Sequence, residues 1–144
     1  MGTGIRIFIE YDFSKFREHP YEIPTSPFQD DVSLWDLQHD FISAQKDYRF
    51  FAALAGVRNR ENGIEPLFAP RGIPDNCHYY AARELQEEEP PISWLTAAEL
   101  NAALVHASLN LEDLEETAQL IVKIVNLLAR KCGNDRVRIL FAFT

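Results

Sequence analysis

The sequence predicts an α+β fold in which a small sheet, formed by the N- and C-terminal strands, packs against several helices. Two observations carry this prediction: an alternating apolar segment at each end of the chain, and a long amphipathic helix just before the second segment. The length of 144 residues suits one domain, and 47% hydrophobic with 25% charged residues is typical of a globular protein. We therefore expect a single domain over residues 1–144.

The N-terminal strand follows from apolar residues at every second position between Ile5 and Ile9. Its other face mixes Arg6, Phe8 and Glu10, so we expect that face to be partly covered. Three prolines predict an irregular arm over residues 14–29.

Several helices are predicted between the terminal strands. The first is expected to begin at Asp30 or Asp31 and to run to about Ala44, and the second covers Tyr48 to Ala55, where Gly56 ends it. After a loop from Arg58 to Asp75, rich in glycine and proline, a helix is expected over Cys77 to Glu89. Thr96 and Glu99 have capping-box spacing and predict a helix to about Ala107.

The last helix, Leu111 to Cys132, has the clearest pattern of the chain. Apolar residues recur at steps of four and three, Asn110 with Asp113 is expected to cap its start, and Gly133 is expected to end it. This pattern makes Cys132 a buried thiol. A second alternating strand follows from Arg136 to Phe143, and a third is expected from Tyr21–Ile23 or Ile64–Phe68, because two strands alone are marginally stable.

The charge of the chain restricts its partners. With 22 acidic against 14 basic side chains and a net charge of −8, direct binding of nucleic acid is disfavoured, since phosphates attract lysine and arginine. An acidic surface keeps a protein soluble, and it also fits a basic partner protein. No segment resembles a signal peptide or a membrane span, so the expected location is the cytoplasm.

Common catalytic, metal and cofactor motifs are missing from the sequence. Cys77 and Cys132 are too few and too far apart for a disulfide framework or a thiolate zinc site. The four histidines lie in four separate segments without metal-ligand spacing, and no G-x-S-x-G motif is present. We therefore predict no catalytic residues, no metal site and no cofactor.

The polar residues around the long loop form the candidate ligand site. Arg58, Arg60 and Arg71 bracket the loop, with Asp75 and His78 just after it, and forked arginine hydrogen bonds suit a phosphate or carboxylate. The alternative is that Arg58 and Arg71 tie the loop to carbonyls and nearby acids. Trp94, the sixth candidate, is expected either to pack against the following helix or to stack on a ligand.

Four segments, in this order, resemble a family of small uncharacterised proteins encoded by phages and bacteria. The family pattern is M-G-C-D-I-H, then N-Y-x-L-F-x-L-L-A-G-V-R-N, P-R-G-L-P-x-D and H-S-H-S-W-L-T-x-x-E-L, followed by an apolar strand. The matching segments, which cover about half of the chain, are Met1–Arg6, Asp47–Asn59, Pro70–Asp75 and Ser93–Leu100. The resemblance implies a phage or mobile-element setting.

The chain departs from this family where metal-binding or acid–base chemistry would be expected. Thr3, Gly4 and Arg6 replace the Cys, Asp and His of the first motif, and Pro90 and Ile92 replace the two histidines before Ser-Trp. The resemblance therefore implies that any enzymatic site of the family is absent here.

Two functions remain open from the sequence. The first is a non-catalytic binding or interaction protein that acts as an accessory factor of a mobile element. This protein would form a homodimer through its C-terminal helix. It would bind a basic host protein or a small anionic ligand. The second is a small enzyme that acts on a phosphorylated or nucleotide-like substrate, with Arg58 and Arg71 holding the anion and His78 or Asp75 acting as acid or base.

Overall fold

The structure is a computed structural model that describes residues 4–12, 36–37, 42–44, 47–57 and 63–144. Its elements, in chain order, are β1 (Ile5–Tyr11), β2 (Asp36–Leu37), β3 (Ile42–Ala44), α1 (Tyr48–Ala55), α2 (Tyr79–Gln86), β4 (Ile92–Thr96), α3 (Ala97–His106), a 3-10 turn (Leu111–Asp113), α4 (Glu116–Cys132) and β5 (Val137–Phe143). The predicted α+β class is confirmed.

The two terminal strands pair with each other at the centre of an antiparallel sheet. The sheet order is β2-β1-β5-β4, and β3 also pairs with β1. The register of β1 and β5 runs from Ile5 opposite Phe143 to Tyr11 opposite Val137. The alternation that predicted both strands also restricts this register, because a slip by one residue would turn the apolar side chains away from the core.

One of the two predicted positions of the third strand is wrong, and the other is not tested. Residues Ile64–Phe68 form no strand, and Tyr21–Ile23 lies outside the described residues. Instead β4 pairs with β5, with Trp94 opposite Leu140. The capping signal at Thr96 concealed this strand, because Thr96 is both the last residue of β4 and the N-cap of α3.

The helix predicted from Asp30 or Asp31 to Ala44 is wrong at the positions that the structure describes. Residues Asp36–Leu37 and Ile42–Ala44 are short strands on the outer edge of β1. The open edge of a strand has unpaired backbone donors and acceptors, and pairing with them outweighs the helical preference of a short segment.

The helices that follow agree well with the sequence. Helix α1 has the predicted bounds, and Gly56 ends it in the left-handed conformation at φ 73°. Helix α2 is shorter than predicted at both ends. At the start of α3 the predicted capping box is present: the Glu99 N–H donates to Thr96 Oγ1 at 3.2 Å, and the Thr96 N–H donates to Glu99 Oε1 at 3.1 Å.

The last helix begins five residues later than predicted, at Glu116 instead of Leu111. Its predicted first turn is a separate 3-10 turn, where the Asn110 N–H donates to Asp113 Oδ2 at 2.8 Å, so the capping signal belongs to that turn. Leu114 has an extended backbone and separates the turn from α4. Cys132 is fully buried, as predicted.

The sheet has two unequal layers around it. Helices α1, α3 and α4 cover one face and form the main core with Ile5, Ile7 and Ile9 of β1. On the other face α2 packs over a smaller cluster built on Phe8 and Leu140. The expectation that the mixed face of β1 is covered is thus confirmed, and this second face contains the polar residues discussed below.

Candidate functional site

The second face of the sheet, which we call the α2 face, consists of three rows of residues that lie opposite each other on neighbouring strands. The middle row is apolar, and each outer row includes at least one charged residue. From one end to the other the rows are Arg6–Ala142–Ile92, Phe8–Leu140–Trp94 and Glu10–Arg138–Thr96.

A buried ion pair occupies the third row of the α2 face. The Arg138 Nε–H donates to Glu10 Oε1 at 2.6 Å, and the two side chains are 4% and 0% exposed. The His78 N–H donates to Glu10 Oε2 at 2.6 Å, and Arg138 Nη1 donates to Asn76 Oδ1 at 3.1 Å. Burial raises the pKa of Glu10, and the Arg138 charge and the His78 N–H oppose this rise.

His78 is positioned by the start of α2. It is the N-cap residue, and its Nδ1 accepts a hydrogen bond from the Tyr80 N–H at 3.2 Å. An imidazole nitrogen that accepts a backbone N–H carries no proton, so the proton of the neutral ring is on Nε2. The lone pair of Nδ1 therefore caps the helix and is not directed at a substrate.

Cys77 precedes His78 and lies in the smaller core, where it is 5% exposed. Burial raises the pKa of this thiol to about 12, and the charge of Glu10 adds to the rise. Because the thiolate is the reactive form of cysteine, Cys77 is a poor nucleophile at neutral pH.

Arg71 fastens the long loop to β4 and α3. Its Nη1 donates to Glu99 Oε1 at 2.8 Å, and its Nη2 donates to Glu99 Oε2, which makes a forked pair with one carboxylate. The Arg71 N–H donates to Ser93 Oγ at 2.9 Å, and the next N–H of the loop, that of Gly72, donates to Ile92 O at 2.8 Å. The hydrogen bonds from Arg71 lower the pKa of Glu99, burial opposes this effect, and the Thr96 N–H and the Arg71 charge add to it.

Two aromatic rings complete the environment of the Arg71 guanidinium. Its central carbon is 4.9 Å from the ring centroid of Phe68 and 4.6 Å from that of Trp94. We call Phe68, Arg71, Trp94 and Glu99 the Arg71 cluster. The Arg138 guanidinium is also within 5.6 Å of the Trp94 ring centroid, so Trp94 connects the Arg71 cluster to the buried ion pair.

The structure settles the position of several candidate residues from the sequence. Arg58 and Arg60 lie outside the described residues. Asp75 is exposed in the turn before α2, while His78 is joined to Arg71 through the contacts of Glu10, Arg138 and Trp94. Trp94 lies on the α2 face, where it packs against the smaller core and contacts two guanidinium groups, whereas α3 covers the other face of the sheet. The alternative that Trp94 stacks on a ligand stays a prediction.

The opposite end of the α2 face is closed by a second set of charges. Arg6 Nη1 donates to Glu88 Oε1 at 2.7 Å, and Arg6 Nη2 donates to Glu84 Oε2 at 3.2 Å. These contacts tie β1 to the end of α2. The acidic run Glu87–Glu89 is therefore not wholly a solvated helix end, because Glu88 holds this arginine.

The site also contains four residues that were not predicted from the sequence: Glu10, Asn76, Glu99 and Arg138. One signal for the buried pair was available, because Glu10 and Arg138 are charged residues inside two alternating strands. Their pairing requires the strand register, which the alternation alone does not define. Glu99 was assigned only to the capping box, and its bond with Arg71 joins residues 28 positions apart.

Among the residues that the structure describes, no group of three or more His, Cys, Asp and Glu side chains is placed to hold a metal ion. Within the same ranges, no helix has the length and apolar character that crossing a membrane requires. Comparison of the chain with protein-family models, with curated proteins and with solved structures finds no match. The resemblance to the phage and bacterial family therefore stays a prediction.

Proposed function

We propose that this chain is a non-catalytic binding or interaction protein, an accessory factor of a phage or mobile element that acts in the cytoplasm. The observation that carries the proposal is the bonding of Arg71. Both terminal nitrogens of its guanidinium donate to Glu99, and two aromatic rings pack against it, so this candidate for holding an anionic substrate holds the loop instead.

The groups near the buried ion pair support the same conclusion. His78 uses Nδ1 to cap α2, and the Cys77 thiol has a pKa of about 12. A general base needs a lone pair directed at its substrate, and a cysteine nucleophile needs a thiolate. The two cysteines are buried and are not joined to each other by a disulfide, which is consistent with a reducing compartment such as the cytoplasm.

A basic protein surface is the partner class that the charge of the chain favours. The net charge is −8, and an anionic ligand would have to displace the Glu99 carboxylate from Arg71. Exposed acidic residues include Glu112, Glu115 and Glu116 near the start of α4, and Glu65, Glu87 and Glu89 elsewhere. Attraction between such a surface and a basic partner increases the association rate and weakens with salt.

A ligand and turnover screen tests the non-catalytic part of the proposal. The full chain is mixed with inorganic phosphate, pyrophosphate, mono-, di- and trinucleotides and cyclic nucleotides, and both its Tm and the products are measured. We expect no increase in Tm and no product. A ligand that raises the Tm of the wild type but not of Arg71→Gln would show that the site binds a small anion instead of a basic protein. Turnover that His78→Asn abolishes would support the enzyme alternative.

Two triple variants with the same charge change test the partner class. In one, Glu112, Glu115 and Glu116 become Gln, and in the other Glu65, Glu87 and Glu89 become Gln. Binding to a library of lysine- and arginine-rich peptides is measured at low and high salt. A defined docking surface requires the two variants to differ in affinity; equal weakening would show attraction to overall charge alone and would contradict the proposal.

A further inference from the structure

The outward face of α4 exposes two leucines although the helix already buries a complete apolar face. Leu120 and Leu127 are 52% and 60% exposed. The buried residues of the helix lie on its other side: Ala118, Ile121, Val122, Val125, Ala129 and Cys132. Single exposed apolar residues are common on protein surfaces, so exposure of these two leucines does not by itself indicate a binding surface. Any such indication has to come from the residues around them.

The two leucines belong to a short helix-pairing pattern. Ile124, which is partly buried against the main core, lies four residues after Leu120 and three residues before Leu127. Steps of four and three place side chains along one line of a helix, which is the spacing of helices that pair side by side. Thr117 and Lys131 occupy the next positions of the line, so its apolar part spans about two turns.

Charged residues are distributed unequally along the same face. Glu112, Glu115 and Glu116 are exposed at or before the start of α4, while Lys123 is exposed in its middle and Arg130 and Lys131 near its end. Acidic residues at a helix start and basic residues at its end also suit the helix dipole. The dipole does not account for Lys123 in the middle of the helix or for the two exposed leucines.

We propose that a second copy of the chain docks on this face, with the two α4 helices antiparallel about a two-fold axis near Lys123 and Ile124. In this arrangement Leu120 packs beside Leu127 of the second copy, and by symmetry Leu127 packs beside Leu120 of the second copy. Glu116 then lies near Arg130 of the second copy, so the acidic start of each helix faces the basic end of the other. A parallel pair would bring like charges together.

The predicted dimer is weak. A standard protein interface buries roughly 800 Å² on each partner, and two leucines with one isoleucine supply only its centre. The two Lys123 side chains also approach each other near the axis. We therefore expect dissociation in the micromolar range. This inference does not depend on the proposed function, since an enzyme could pair through the same helix.

Sedimentation velocity on the full chain over a micromolar concentration series tests the surface. The wild type should be a dimer at the upper end of the series. The double variant Leu120→Gln/Leu127→Gln should raise the dissociation constant at least about tenfold, with unchanged circular dichroism. At concentrations where both proteins are monomers, its Tm should equal that of the wild type. Leu67→Gln is the matched control, because Leu67 is a leucine 42% exposed outside α4, and it should leave the dimer intact.

Two outcomes of this experiment overturn the proposal. The first is a wild type that is monomeric at every concentration. The second is a dimer that persists in the double variant, since the contact would then use another surface.

Cross-linking between differently tagged chains tests the orientation. Both natural cysteines are buried, so cysteines introduced on α4 react selectively. Leu120→Cys should form a disulfide with Leu127→Cys of another chain much faster than with a second Leu120→Cys chain. Equal or faster coupling of Leu120→Cys to itself would contradict the antiparallel arrangement.

A charge exchange adds a second test: Glu116→Lys and Arg130→Glu should each weaken the dimer, and their combination should restore it.

Discussion

Glu10 and Arg138 lie directly opposite each other on β1 and β5, and their side chains form an ion pair that is closed to solvent. The second oxygen of Glu10 accepts the N–H of His78, the residue that caps α2. One carboxylate thus connects the two central strands to the helix that covers them. These two buried charges are part of the packing of the fold.

Replacing Glu10 with Gln should strongly destabilise the chain. The amide keeps the shape of the side chain but leaves the Arg138 charge buried without its counter-charge. Breaking a buried ion pair in this way typically lowers the free energy of unfolding by about 3–5 kcal/mol, which urea denaturation would measure.

The pair between Arg136 and Asp12, whose arginine is partly exposed, provides the control for this variant. Arg136 is 41% exposed and its Nη1 lies 3.6 Å from Asp12 Oδ2, so Arg136→Gln should change the free energy of unfolding by less than about 1 kcal/mol. Equal effects of the two variants would show that the Glu10–Arg138 pair is not a buried structural contact.

Cys77 should be inert in the native protein. Its thiol is buried and has a pKa of about 12, and Cys132 is also buried. We expect a thiol reagent such as 5,5′-dithiobis(2-nitrobenzoate) to label neither cysteine of the folded chain at pH 8, and to label both in guanidinium chloride. Rapid labelling of Cys77 in the folded chain would indicate a reactive thiolate and would argue for catalysis.

The Arg71–Glu99 pair should make stability depend on acidic pH. Arg71 holds the pKa of Glu99 below its ordinary value of 4.5, so the unfolded chain takes up a proton there before the folded chain does. The contribution of the pair is complete above that value and is lost as the pH falls through the folded-state pKa. The stability difference between the wild type and Glu99→Gln should therefore shrink over that range.

The control for this pH series is Glu89→Gln, at an exposed position beyond the end of α2. Its stability difference from the wild type should change little over the same acidic range. If the stability difference between the wild type and Glu99→Gln stayed constant with pH, this would contradict the lowered pKa of Glu99.

Local patterns predicted the elements that depend on local interactions. The alternation in β1 and β5 and the Tyr48–Ala55 helix with its Gly56 end were all readable, because each is determined by residues close in sequence. The strand β4 and the edge strands β2 and β3 depend on pairing with distant residues. Propensity over a short segment cannot reveal such pairing, and it wrongly indicated a helix before Ala44.

The site was predicted only in part for a similar reason. The sequence showed Arg71, His78 and Trp94 as notable polar or aromatic residues, and it offered the tying of the loop by Arg71 as one of two alternatives. The choice between these alternatives depends on Glu99. A glutamate at this position can cap a helix or bind an arginine, and the sequence does not distinguish the two roles. In this structure Glu99 does both.

The most direct test of the account is the free energy of unfolding of Arg71→Gln, measured by urea denaturation together with Glu99→Gln and the double variant. If Arg71 serves the fold, its replacement lowers the free energy of unfolding by about 1–2 kcal/mol, and the double variant loses clearly less than the sum of the two single losses. Residues kept for ligand binding or catalysis often reduce stability. An Arg71→Gln protein as stable as the wild type, or more stable, would contradict the structural role and would favour a ligand site at this arginine.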